Sequence, residues 1–244
     1  MLTIVTVFGH SPEIAKMWVE EHLKVLPPAQ LVILVENLYY PDFEVTAWLL
    51  KGCRERPNWL LLSTLRNVTP TTFFSHGKAL DLALQYVKTK YVLTLDSDAF
   101  IRNFSVVERV LDIAERENAV VVGALQENIS LPYIQPWFAL YRTDFARKIG
   151  FQERHYRPSL PQEYMQFFKP HPSDIYSEVR KTYMDIGEKI YLDAVLQGEK
   201  VINFRPSPDE VTHLWKATPF VWMFNNGHEF YRTGRFQGRP FSLI

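Results

Sequence analysis

Tyr91-Val92-Leu93-Thr94-Leu95-Asp96-Ser97-Asp98 is a short apolar run that ends in two carboxylates one residue apart. Its first five residues read as a strand buried on both faces, the kind that parallel sheets use. In open α/β sheets, ligands bind just beyond the carboxyl ends of the strands. Two acidic side chains placed there can hold a hard divalent cation, and that cation can bridge phosphate oxygens. The same three residues also suit a bland role, with Asp96 as a solvated strand end and Asp98 as a turn cap. The surrounding chain has to decide between the two.

Upstream, Leu2–Phe8, Leu31–Glu36 and Trp59–Leu65 read as strands. Between them come helical segments. The first starts with Ser11 as N-cap and Pro12 at N1, and stops at Pro27-Pro28. The next two cover Val45–Arg54 and Ser75–Val87. Downstream, Val106–Glu117 is helical and Ala119–Leu125 is a fifth strand. This alternation predicts βαβ units, a mainly parallel sheet and helices on both faces. The Gly-x-Gly-x-x-Gly fingerprint of dinucleotide folds is absent, and so is the Gly-x-x-x-x-Gly-Lys-Ser/Thr phosphate loop.

After about residue 127 the chain becomes rich in Pro, Trp, Tyr, Phe and His. Regular signals return at Asp185–Leu196, a helix closed by Gly198, and at Val201–Phe204, a short strand. The pattern predicts a single α/β domain of two halves on one continuous sheet, residues 1–126 and 127–244. The second half carries an irregular, aromatic-rich C-terminal region.

Composition narrows the function. Twenty-seven Lys and Arg balance 27 Asp and Glu in 244 residues, giving a formal charge of +0. A protein living on nucleic-acid phosphates needs a basic excess, so no nucleic-acid partner is expected. The single Cys53 cannot form an internal disulfide, and no Cys/His cluster has zinc spacing. The apolar start lacks a basic n-region and a cleavage site, and no apolar run approaches ~20 residues. A cytoplasmic protein is therefore expected, with peripheral membrane contact compatible. The sequons at Asn67, Asn103 and Asn128 then read as chance matches.

The order of motifs resembles the large inverting family of GT-A nucleotide-sugar glycosyltransferases. Ser75-His76-Gly77-Lys78-Ala79-Leu80-Asp81 is similar to that family's Ala-Arg-Asn-x-Gly-like helix. Asp81 stands where the family has Asn, and Leu80 where it has Arg; Lys78 is a nearby substitute for the missing base. Asp96-Ser97-Asp98 follows as the family's Asp-x-Asp. Lys148-Ile149-Gly150-Phe151-Gln152-Glu153 is similar to its Gly-Gly-Phe-Asp-Glu loop. Asp185-Ile186-Gly187-Glu188 and the helix after it resemble the block that carries the catalytic base. Residues 2–215 are covered in order.

The resemblance implies a metal-dependent, hexosyltransferase-like enzyme. It would move a sugar from a nucleoside-diphosphate donor to a carbohydrate, lipid-linked or protein acceptor hydroxyl, with inversion. Mn²⁺ or Mg²⁺ would be held by Asp98 directly and by the late His213, with Asp96 binding the metal through water or contacting the ribose. Imidazole suits Mn²⁺ better. Asp185 is the candidate general base, with Glu188 as the alternative; a plain N-cap and capping box are the structural alternative for the pair. Gly9, His10 and Glu36 end the first two strands, where base and ribose would sit. His76 and Lys78 open a helix, and a helix N-terminus favours anions; Asp81 and Ser97 complete the donor-side candidates. Trp137, Tyr141, Trp215, Trp222 and Phe224 are candidates for an acceptor groove, and Arg232 and Arg235 for phosphate contacts. Two other classes are compatible: a sugar-1-phosphate nucleotidyltransferase, which would need a basic glycine loop that Phe8-Gly9-His10-Ser11-Pro12 does not supply, and a non-catalytic binding relative.

Overall fold

The computed structural model describes residues 1–9, 11–38, 42–64, 72–126, 133–151 and 186–214, and the paired backbones of 235–236 and 239–240. Seven strands form the central sheet: β1 (Thr3–Phe8), β2 (Leu31–Glu36), β3 (Trp59–Ser63), β4 (Tyr91–Leu95), β6 (Val121–Gln126), β7 (Tyr133–Arg142) and β8 (Val201–Asn203). Their order is β3-β2-β1-β4-β7-β6-β8. All pairings are parallel except those of β7, which runs antiparallel to both β4 and β6. Two small pairs lie outside it: β5 (Ala99–Ile101) with β9 (Val211–His213), and β10 (Arg235–Phe236) with β11 (Arg239–Pro240).

The apolar strands have no polar face because both faces are covered. Along β1, Ile4 and Phe8 point into one core and Val5 and Val7 into the other. Along β4, Tyr91, Leu93 and Leu95 face the first core and Val92 the second. Helices α1 (Pro12–Val25), α2 (Phe43–Glu55) and α4 (Ser105–Glu117) close the first core, through side chains such as Trp18, Leu49 and Val110. Helices α3 (Thr72–Leu84), α5 (Thr143–Ile149) and α6 (Glu188–Leu196) close the second, through Leu80, Phe145 and Ile190. The starts obey local rules. Pro12 takes N1 of α1, and the Asp42 side chain accepts from the N–H groups of Glu44 and Val45 at the start of α2. Asn118, left-handed at φ 50°, ends α4.

The mainly parallel sheet and two-sided helix packing match the expectation. One strand does not. β7 spans ten residues in the middle of the sheet, where the sequence suggests irregular structure. Pro136 lies inside it, and prolines within sheets are confined to edges and bulges. The register resolves the conflict: β6 pairs Gly123 with Ala139 but Leu125 with Ile134, so the strand bulges over the residues between. Gly123 sits under this bulge, and a Cβ there would lie 2.6 Å from Ile134 Cγ2. The bulge sits at the same sheet edge as the end of β4.

His22 ties this edge to α1. It is fully buried, stacked on Trp18 at 3.9 Å between centroids. Its Nε2 accepts from the Ile101 N–H of β5 at 3.2 Å, so Nδ1 carries the proton and donates to Trp18 O at 2.8 Å. Burial holds its pKa down, from 6.5 to about 4. An unfolded chain therefore takes up a proton that the fold refuses. Stability should fall as pH drops from about 6.5 towards 4, by about 3 kcal/mol from this group. Urea unfolding at about pH 7 and about pH 4.5 checks this. The His22→Gln variant, which keeps an acceptor for Ile101, should show a shallower loss than wild type.

Candidate metal centre

The chain reverses strand order between β1 and β4, and Asp96 follows β4 at this switch. The Asp96 N–H donates to the bulge carbonyl of Trp137 at 3.0 Å, and Ala99 N–H donates to Asp96 O at 3.0 Å. The resulting tight turn carries Ser97 and Asp98 and leads into β5. There the backbone recruits a residue from far along the chain: β5 pairs with β9, Ala99 opposite His213, and the Leu214 N–H donates to Asp98 O at 2.9 Å. Two three-residue strands thus fix the position of the imidazole.

His213 Nε2 lies 3.2 Å from Asp98 Oδ1 and 3.8 Å from Asp96 Oδ2. One ligand atom from each of the three residues falls within a 4.8 Å cluster. Adjacent donors around an octahedral ion with bonds of about 2.1 Å are roughly 3 Å apart, so small side-chain adjustments suffice to close on a cation. Asp98 is 1% exposed, and neither of its carboxylate oxygens accepts a hydrogen bond among the described residues. A buried carboxylate without such partners is costly, and it marks a place where a cation would repay the burial. Trp137 walls the site, its ring stacked on His213 at 4.7 Å and 12°. Below, burial and then the Asp96 charge push the Tyr141 pKa upward. A cavity of about 540 Å³ opens beside the centre, lined by Trp137 and His213 and by residues of β6 and the β8–β9 connection.

The other candidates distribute as follows. Ser97 is half-buried in the turn itself. Gly9 follows β1, its carbonyl accepting from Ser11 N–H at 3.0 Å; His10 lies outside the described residues. Glu36 ends β2 but is buried, its carboxylate accepting from the hydroxyls of Thr46 and, at 2.8 Å, Ser63. It ties β2 to β3 and α2. His76 and Lys78 do not open a helix. α3 already begins at Thr72, so both lie in its second turn, where N–H groups face earlier carbonyls and not an anion. The Asp81 carboxylate accepts from Phe151 N–H at 2.7 Å and joins α3 to the end of α5. Asp185 lies outside the described residues. Glu188 is fully buried and is the first residue of α6, whose N-cap is Gly187 at φ 86°; a box capped by Asp185 is therefore not what starts this helix. Tyr141 is 1% exposed, held in the core by the central position of β7, and does not line a groove. Trp215, Trp222, Phe224 and Arg232 lie outside the described residues, and Arg235 is placed only as backbone of β10. Sequence reading took Trp137 for an acceptor contact; its stacking on His213 depends on a bulge that carries no periodic signal.

Among solved structures, mannosyltransferase PcManGT from Pyrobaculum calidifontis, in complex with GDP-Man and Mn²⁺, superposes with a TM-score of 0.56 at 12% identity, over 91% of this chain and 59% of that one. This chain has a GT-A-like glycosyltransferase fold. TarS from S. aureus (residues 1–349) is also similar, at 15% identity and TM-score 0.45, over 60% of this chain and 48% of that one. The same protein in complex with UDP-GlcNAc gives 16% identity and 0.43, over 61% and 47%. The chain thus spans about half of TarS residues 1–349, 29% of the longer TarS structure and 59% of PcManGT. No protein-family model and no curated protein matches the sequence. Among the described residues, no helix is long and apolar enough to cross a membrane.

Proposed function

We propose that this chain is a metal-dependent glycosyltransferase that moves a sugar from a nucleoside-diphosphate donor to an acceptor hydroxyl, with inversion. The observation that carries the reading is Asp98: a buried carboxylate that accepts no hydrogen bond among the described residues, beside Asp96 and His213, at the carboxyl edge of a GT-A-like sheet. The mixed carboxylate and imidazole set fits Mn²⁺ better than Mg²⁺. PcManGT, similar in fold, was solved with GDP-Man and Mn²⁺.

Asp96, Asp98 and His213 would hold the cation. When bound, it would neutralise charge developing on the departing diphosphate. The β5–β9 pairing keeps His213 in place without the donor, so the site needs little reordering on binding. Trp137 shields the imidazole from water. The base has to bring a carboxylate within about 2.6–3.2 Å of the acceptor hydroxyl. The full burial of Glu188 favours Asp185 for this role and leaves Glu188 as a structural residue. An inverting displacement then needs one proton transfer, from the acceptor oxygen to Asp185, as that oxygen attacks the anomeric carbon and the diphosphate leaves.

The test is release of nucleoside diphosphate from a panel of UDP-, GDP- and ADP-sugars, with Mn²⁺ and with chelator. One donor should be turned over slowly even without acceptor, and chelation should reduce the rate to background. Turnover that persists in chelator would remove the metal from the reaction, and the absence of any donor turnover or binding would leave a non-catalytic fold.

A further inference from the structure

The cavity beside the metal centre has a chemistry of its own. Trp137 and His213 form one wall, shared with the centre, while Gln126, Gln135 and Arg205 supply the polar groups. No residue of β1 or β2 lines it, so it is separate from the strand ends where a nucleotide base would sit. Gln135 Nε2 donates to Gln126 Oε1, which fixes both amides. The Gln126 NH₂ then remains to donate to ligand hydroxyls, and the Gln135 carbonyl to accept from them.

Arg205 is the distinctive member. Asn203 Oδ1 accepts from Leu125 N–H at 3.0 Å, which fixes the end of β8 against β6 and sets the start of the loop that carries Arg205. Among the described residues the guanidinium has one hydrogen bond, to Leu125 O at 3.4 Å. Among the described residues no carboxylate pairs with it. Three other exposed arginines do have such partners, Arg109 with Glu210 at 2.7 Å, Arg102 with Glu21 at 3.3 Å and Arg116 with Glu117 at 3.2 Å, and the exposed Arg147 is spent on the Leu84 and Val87 carbonyls. A planar guanidinium with free donors at a cavity wall suits bidentate binding of a carboxylate or phosphate.

Resting on the proposed function, we infer that this cavity is the acceptor subsite and that it takes a saccharide-class acceptor carrying a carboxylate or a phosphate, held by Arg205. The two amides bind its hydroxyls, and the shared Trp137–His213 wall sets it next to the donor's anomeric carbon. The volume, about 540 Å³, is in the range of small-ligand sites.

The test uses ligand-observed NMR titration of the full chain with methyl glucuronide, glucose 6-phosphate and the neutral methyl glucoside, on wild type, Arg205→Gln and Arg205→Lys. One anionic probe should bind about tenfold more tightly than methyl glucoside. Which one does so separates carboxylate from phosphate. Arg205→Gln should erase that preference, Arg205→Lys should keep only the part that a point charge supplies without the bidentate fork, and Mn²⁺-dependent binding of nucleoside diphosphate should be unchanged in both. Equal binding of charged and neutral probes to wild type would overturn the inference while leaving the donor site intact. Loss of nucleotide binding in Arg205→Gln would overturn it too, by assigning Arg205 to the donor diphosphate. An Arg205-dependent anion preference in a protein that binds no nucleotide would support the subsite and sink the proposed function.

Discussion

Asp98→Asn is expected to abolish metal-dependent nucleotide binding without lowering the stability of the metal-free protein. With Mn²⁺ and a nucleoside diphosphate at about 100 times its Kd, wild type should gain about 2.7 kcal/mol. For a chain of this length that corresponds to a rise in Tm of about 5–10 °C. The variant should show no rise. Its own Tm should equal or exceed that of wild type, because Asp98 is buried, accepts no hydrogen bond among the described residues and lies beside a second carboxylate. Replacing its charge with an isosteric amide lowers the cost of burial. A mere turn cap behaves in the opposite way, since losing a cap costs ~1 kcal/mol. Thermal melts of both proteins, with and without ligands, separate the two roles by sign.

Asp185→Asn is expected to lower sugar transfer by about 10²–10⁴ while leaving donor and metal binding intact, the signature of a lost general base. Glu188→Gln should behave differently. Glu188 is fully buried at the start of α6, so its substitution should be read mainly in stability, on the order of 1–3 kcal/mol, with transfer falling only as far as the fold loosens. Steady-state transfer assays, run beside nucleotide melts on both variants, distinguish the two carboxylates. Normal transfer by Asp185→Asn would move the base elsewhere.

The parallel half of the sheet was legible because strands buried on both faces are written as unbroken apolar runs; β2 and β4 begin and end at the expected residues. β7 was hidden for a physical reason. Its bulge admits Pro136 into a central strand and breaks the period-two pattern, so a ten-residue strand reads as loop. β5 and β9 were missed because three residues carry no period at all, yet they bring His213 to Asp98. The carboxylate pair was visible as an abrupt end to an apolar strand. His213 entered through resemblance alone, since nothing in its neighbourhood marks it. Helix boundaries caused the donor-side error: reading Ser75 as the start of α3 put His76 and Lys78 at its N-terminus, and the helix begins one turn earlier. Arg205 had no signal in sequence, because its interest lies in which cavity it lines and which carboxylates it lacks.

The central claim is that Asp96, Asp98 and His213 form a metal site that works together with a nucleoside diphosphate. The most direct measurement is an electron paramagnetic resonance titration of free Mn²⁺ with the unmodified protein, with and without UDP, GDP or ADP. The account expects one Mn²⁺ to be taken up per chain, with affinity raised at least tenfold by one of the three nucleotides over that nucleotide's own binding of the ion. Mn²⁺ uptake no greater than the free nucleotide produces, for all three, would contradict it.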